Sequence, residues 1–181
     1  MAIKLLKQIE LEKRTATPEE QIILARYVGW GGLANAFSST ASGWENEYQE
    51  LKSLLTDVEY KAAMNSTITA YYTEPDLIRH IYRALERFGF EGGPDRKILD
   101  PGMGTGNFYS VLPEQFQGSK LFGVELDSIT GRIAKQLYPD ADISIMGYEA
   151  TKFEDNSFDV ILGNIPFNSV KIYDRRYNDL N

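Results

Sequence analysis

The stretch Ile98-Leu99-Asp100-Pro101-Gly102-Met103-Gly104-Thr105-Gly106-Asn107-Phe108 reads as a buried strand ending in an acid, a turn with glycine at alternate positions, and the first turn of a helix. Glycine permits positive φ and lets the backbone approach a ligand closely. Such a turn suits a nucleoside-type ligand, although a tight strand-to-helix connection with no ligand needs the same glycines. On this pattern alone the two readings are even.

Downstream the rhythm repeats. Leu121 to Glu125, Ile143 to Met146 and Phe158 to Gly163 read as further buried strands, with helices predicted over 107–112 and 128–138. Strands alternating with helices imply a parallel sheet with crossover connections, the doubly wound α/β class. Four strands make little more than half of such a sheet. Asn168 to Asn181 is polar and offers no strong strand, and a cut there would leave a central strand as an edge. The chain is therefore expected to be a piece of a longer protein, truncated after the fourth strand.

Upstream, residues 1 to about 60 read as helical. Thr17-Pro18-Glu19-Glu20 is a capping box with proline at the first helical position, and Gly29-Trp30-Gly31-Gly32 breaks the helix that follows. Glu47 to Met64 predicts a charged amphipathic helix pair. Thr73-Glu74-Pro75-Asp76 repeats the capping signature before a helix through Phe88, and Gly92-Gly93-Pro94 marks a boundary. The expected division is a helical region, 1–93, and an α/β region, 94–181.

Composition removes several chemistries. The 181 residues are 43% hydrophobic and 25% charged, ordinary for a globular protein. No cysteine is present, which excludes disulfides, thiolate metal sites and a cysteine nucleophile. His80 is the one histidine, so a histidine-rich metal site is excluded and no metal is expected. No apolar run approaches a membrane span, and the N-terminus is too polar for a signal peptide, so no membrane contact and a cytoplasmic location are expected. A formal charge of −7 argues against this segment gripping nucleic acid unaided.

The candidate site follows from topology. In open α/β sheets ligands lie beyond the carboxyl ends of the strands. Asp100, Glu125, Tyr148-Glu149 and Asn164 all fall at or just past strand ends and are expected on one rim. Glu125 lies 19 residues after Gly106, where an acid that binds ribose hydroxyls belongs. Asp100 either orients the turn through backbone N–H groups or faces a ligand's ammonium. Asp127 reads as a helix cap, and Thr73 as a cap or a ligand contact.

Asn164-Ile165-Pro166-Phe167 suits transfer to an exocyclic amine, whose lone pair is delocalised into its ring. The Asn164 side-chain oxygen and the Ile165 carbonyl can accept its two N–H bonds, Pro166 can fix the loop, and Phe167 can stack on a flipped base. Without cysteine, the covalent route to cytosine C5 is closed. The glycine turn and the Asn164 loop together point to S-adenosylmethionine and an acceptor nitrogen.

These segments resemble the amino-methyltransferases, specifically the gamma group of N6-adenine DNA methyltransferases. Asp100 to Phe108 looks like that family's cofactor motif, Asn164 to Phe167 like its Asn-Pro-Pro-aromatic motif, and Tyr71-Tyr72-Thr73-Glu74-Pro75 like its upstream cofactor segment. Ala25 to Leu33 and Phe122 to Asp127 look further like the methylase part of very large methylase-helicase fusions of phages, plasmids and conjugative elements. The resemblance implies a Rossmann-like S-adenosylmethionine-dependent methyltransferase fold with a helical N-terminal extension, a bacterial mobile-element origin, and a helicase-bearing remainder. DNA would be the partner, bound through regions outside this segment. It implies cofactor contacts from Tyr72, Thr73, Asp100, Pro101, Gly102, Gly104, Gly106, Asn107, Phe108, Glu125 and Leu126. Catalytic roles would fall to Asn164, Ile165, Pro166 and Phe167. Ile165 departs from the usual proline, but the group needed there is a backbone carbonyl. The acid for the cofactor's adenine is Glu149, or its place is taken by Tyr148 under a one-residue shift. The alternatives are transfer to RNA adenine or a protein glutamine, a non-catalytic module serving a fused helicase, or a nicotinamide dehydrogenase, which leaves Asn164 to Phe167 unexplained.

Overall fold

The computed structural model describes residues 1–68 and 72–165. Tyr71, Pro166 and Phe167, named above, lie outside them. Four parallel strands, β1 (Lys97–Asp100), β2 (Lys120–Glu125), β3 (Asp142–Ile145) and β4 (Val160–Ile161), are ordered β3-β2-β1-β4. The fold is thus the expected Rossmann-like, doubly wound class. From β1 the chain first builds outward through β2 and β3, then returns to place β4 on the other side. The crevice between β1 and β4 is the topological switch point, where such sheets bind ligands.

Burial explains β1. Ile98 and Leu99 are fully buried and pair with Leu121 and Phe122 on one side and Val160 and Ile161 on the other. Strand β4 is shorter than the Phe158 to Gly163 run. At its start the Asp159 carboxylate accepts from the Lys97 N–H (2.9 Å) and pairs with Arg96 (2.8 Å), so a side chain occupies a donor that a longer ladder would use.

Among the crossovers, α6 (Asn107–Ser110) and α7 (Ser128–Leu137) agree with the predicted starts at 107 and 128. Helix α6 stops at Ser110, whose hydroxyl donates back to the Asn107 carbonyl at 2.7 Å. It begins at Gly106, which has φ +88° as its cap. A Cβ there would fall into the Tyr138 ring, and the Tyr138 hydroxyl donates to the Gly106 carbonyl at 2.9 Å. Gly106→Ala therefore combines left-handed strain with a ring clash. Urea unfolding should show a loss of about 2 kcal/mol; an unchanged midpoint would refute this account.

Among the described residues five α-helices precede β1: α1 (Ala2–Leu11), α2 (Pro18–Leu24), α3 (Glu45–Leu54), α4 (Asp57–Ser66) and α5 (Pro75–Arg87). Both Thr17/Glu20 and Thr56/Glu59 form reciprocal capping boxes. The Thr73 capping expectation is corrected: α5 is preceded by Glu74 as its cap residue, with no side-chain capping bond, and Thr73 lies one residue further out. Proline at the first helical position supplies the start without a hydroxyl cap.

The helices α1, α2 and α4 cover α7. Leu6, Ile9, Leu24, Trp30 and Ala63 form one apolar cluster with Ile129 and Ile133. Above it, the Arg132 guanidinium forks onto Glu10 of α1 and Glu59 of α4, and Lys7 reaches Glu59 at 2.8 Å. A second cluster, with Ile78, Tyr82, Ile98, Phe108 and Phe116, packs α5 and α6 on the sheet. Among the described residues, no helix is long and apolar enough to cross a membrane.

Candidate functional site

A cavity of about 530 Å³ opens at the carboxyl ends of the strands. It is bordered by the β1 turn (Asp100 to Gly104), the start of α6 (Asn107, Phe108) and the β2 end (Val124 to Asp127). The segment after β3 (Met146 to Glu149), Asn164 and Ile165 after β4, and Tyr72 and Thr73 complete the ring. Of the residues singled out from the sequence, Tyr72, Thr73, Asp100, Pro101, Gly102, Gly104, Asn107, Phe108, Glu125, Leu126, Glu149, Asn164 and Ile165 are brought together. Gly106 is not on the wall; its part is to cap α6. Tyr148 and Glu149 both border the cavity, on a short 3-10 turn (Tyr148–Ala150), so the fold does not choose between them.

The glycine turn is held by carboxylates. One Asp100 oxygen accepts from the Gly102 N–H (3.1 Å), while its other oxygen is buried with no hydrogen-bond partner among the described residues. Tyr109 closes the strand gap behind it, accepting from the Asp100 N–H at 3.1 Å and donating to the Phe122 carbonyl. The Glu125 carboxylate bridges two turns, accepting from the Gly104 N–H (2.9 Å) and from the Asp127 N–H (2.7 Å). Gly163 packs against Asp100 and Pro101, which brings the Asn164 loop onto the glycine turn.

Burial dominates the electrostatics. Loss of water pushes the Asp100 carboxyl up to about 7; the Gly102 N–H opposes this and the nearby Glu125 charge adds to it. Glu125 is likewise pushed up to about 7, first by burial, against the N–H bond from Asp127. Two acids that resist ionisation beside one cavity form a site that gains by receiving a cation or several hydroxyl donors.

Residues 98–177 match the family of methyltransferase domains. Together with the sheet order and the cavity, this supports methyl transfer as the chemistry and S-adenosylmethionine as the cofactor. The chain is 27% identical over 168 residues to the defense against restriction protein B of Escherichia phage P1, which covers 92% of this chain and 6% of that protein. It is 32% identical over 78 residues to the modification methylase CviBIII of Paramecium bursaria Chlorella virus NC1A, covering 43% of this chain and 21% of that one. The chain thus spans a small part of both curated relatives. A methyltransferase subunit of a type I restriction-modification system from Streptococcus thermophilus superposes over 79% of this chain and 36% of its own, with 17% identity and a TM-score of 0.48.

The cavity fits the cofactor physically. Its volume is within the usual range for a nucleoside-sized ligand. The orphaned Asp100 oxygen is the kind of buried acceptor that a bound donor satisfies.

Several wall residues had no signal specific to the site. Met103, Val124, Met146 and Ile161 supply apolar surface that any strand end could offer. Trp30 and Thr130 come from elements assigned to helix breaking and helix body, and Asp127 from a cap position. A tryptophan set among glycines in a loop is the one signal available: so large a ring persists there only if it is buried, and Trp30 is 3% exposed.

Proposed function

We propose that this chain is the cofactor-binding part of an S-adenosylmethionine-dependent methyltransferase acting on the N6 amine of adenine in DNA, within a larger mobile-element protein. The observation that carries the reading is the position of Asn164, three residues beyond β4, against the glycine turn and on the wall of the acid-lined cavity. The likeness to a modification methylase and to a phage protein of defence against restriction supports DNA as the acceptor. A helicase-bearing remainder, and the division into a helical region 1–93 and an α/β region 94–181, belong to the same reading.

The cofactor, when bound, supplies a methyl group on a positively charged sulfur. Around it, Asp100 would face the ammonium end, Glu125 would take the ribose hydroxyls, and Glu149 or Tyr148 would border the adenine. Tyr72 and Thr73 would close the methionine side. Asn164 and the Ile165 carbonyl would accept the two N–H bonds of the acceptor amine. That would draw its lone pair out of conjugation and hold it ready to accept the methyl group. The amine gives up one proton as the methyl is gained, and the role of Asn164 and Ile165 would be positioning. Pro166 and Phe167 would extend the grip as expected from the sequence.

The test is acceptor choice. The protein carrying this chain is incubated with S-adenosylmethionine and DNA, RNA or protein, and the digested products are examined for modified units. N6-methyladenine in DNA is the expected product. Methylated RNA adenine or protein glutamine without it would move the substrate assignment. The isolated 181 residues are expected to bind the cofactor weakly but measurably by calorimetry, and to transfer little.

A further inference from the structure

The Gly29-Trp30-Gly31-Gly32 loop comes from the helical extension, yet it reaches the cavity wall. Gly29 has φ +74°, and the Tyr72 hydroxyl occupies the space a Cβ would need. The same Tyr72 ring lies 3.2 Å from where a Cβ on Gly104 would be, closer than an ordinary van der Waals contact. One aromatic side chain therefore spans from the extension to the glycine turn.

Trp30 makes the second link. Its indole N–H donates to an Asp127 oxygen at 3.0 Å, in a buried bond between residues 97 apart in sequence. That oxygen also accepts the N–H (2.8 Å) and hydroxyl (2.6 Å) of Thr130, and the Thr130 hydroxyl is 3.2 Å from that of Tyr27. The Asp127 N–H in turn holds Glu125, whose other oxygen holds Gly104. The Trp30 ring is wedged edge-on between Tyr27 and Phe37, at 5.7 and 5.4 Å between centroids, and so cannot swing freely.

We propose that Trp30 is a positioning residue of the cofactor site: seated on Asp127, it fixes the β2–α7 turn that presents Glu125 and closes the cavity wall beside the ribose end. The inference rests on the reading of the cavity as the S-adenosylmethionine site. It makes the helical extension a structural part of that site, and it singles out a contact on the half of the cofactor that survives methyl transfer. Loss of Trp30 must then weaken S-adenosylmethionine and S-adenosylhomocysteine alike. Asp127 keeps both Thr130 donors when the indole is gone, so α7 keeps its cap and the fold should survive Trp30→Phe.

Calorimetry on the 181-residue chain tests this with wild type, Trp30→Phe and Trp44→Phe. The expected result is about tenfold weaker binding of both ligands by Trp30→Phe. Trp44 packs in the helical cluster and is absent from the cavity wall, so its replacement should leave affinity unchanged. The chain has two tryptophans, so Trp44→Phe also leaves Trp30 as the single tryptophan, excited selectively over the tyrosines at the red edge of its absorption. Its fluorescence should change saturably with either ligand, a response that a remote structural residue would not give. If wild type binds both ligands but Trp30→Phe binds within twofold of it, or Trp30 emission does not respond, the proposal is overturned while the cofactor reading stands. If wild type binds neither ligand, the cofactor reading fails and takes the proposal with it. Should Trp30→Phe unfold, the fluorescence titration of Trp44→Phe decides alone.

Discussion

Asn164→Ala should cut methyl transfer by about a thousandfold while leaving S-adenosylmethionine affinity within about threefold of wild type. The expectation separates two parts of one cavity. The proposed cofactor contacts lie on the β1 turn, the β2 end and the segment after β3, whereas Asn164 stands beyond β4 on the other side of the switch point. An acceptor placed where the reacting nitrogen must change geometry contributes to the transition state more than to ground-state binding, so its removal appears in the rate. Single-turnover transfer to DNA, beside calorimetric titration with S-adenosylmethionine, gives both numbers in the protein that carries this chain. A parallel fall in affinity would show that Asn164 shapes the cofactor site instead. An unchanged rate would remove it from the chemistry.

The second large effect is on pH. Asp100 and Glu125 both titrate near 7 when the cavity lacks a ligand, because burial favours their neutral forms. Their unfolded counterparts lose the proton near 4. A carboxyl raised in this way adds stability that is fully present at low pH and is lost as pH rises through about 7. The free chain should therefore lose part of its thermal stability between pH 5.5 and 7.5. Binding runs the other way, since a cationic ligand with hydroxyl donors prefers both acids ionised. Affinity for S-adenosylmethionine should rise about twentyfold over that range for each acid that must ionise. The stabilisation produced by a fixed cofactor concentration should grow with pH even as the free protein's melting point falls. Calorimetry in buffers of different ionisation enthalpy should register protons released on binding at pH 6.5. A pH-independent affinity with no proton release would sink the assignment of these two acids to the cofactor.

The strand-turn-helix at Ile98 to Phe108 was legible because every element in it has a local cause. Ile98 and Leu99 need burial on both faces, the glycines need an open backbone, and Asp100 needs N–H donors that its own turn provides. The same holds for the Thr17 capping box and for Asp127, whose carboxylate caps Thr130 three residues on. Local rules erred where a local substitute was at hand. Thr73 could cap a helix, but Pro75 starts α5 without it. A strand over Phe158 to Gly163 fits its composition, but Asp159 takes the ladder donor on Lys97.

By itself the sequence determined the class of fold, the rim on which Asp100, Glu125 and Asn164 gather, and the chemistry such groups can serve. These follow from period, turn chemistry and the rule that ligands lie beyond parallel strand ends, all of which act over short spans of chain. Only the tertiary structure decided that Gly106 supports α6 from behind the cavity and that both carboxyls sit where water is scarce. It alone decided that Trp30 is seated on Asp127, the residue whose N–H holds Glu125. Desolvation depends on everything packed around a group, and a bond across 97 residues has no periodicity to announce it.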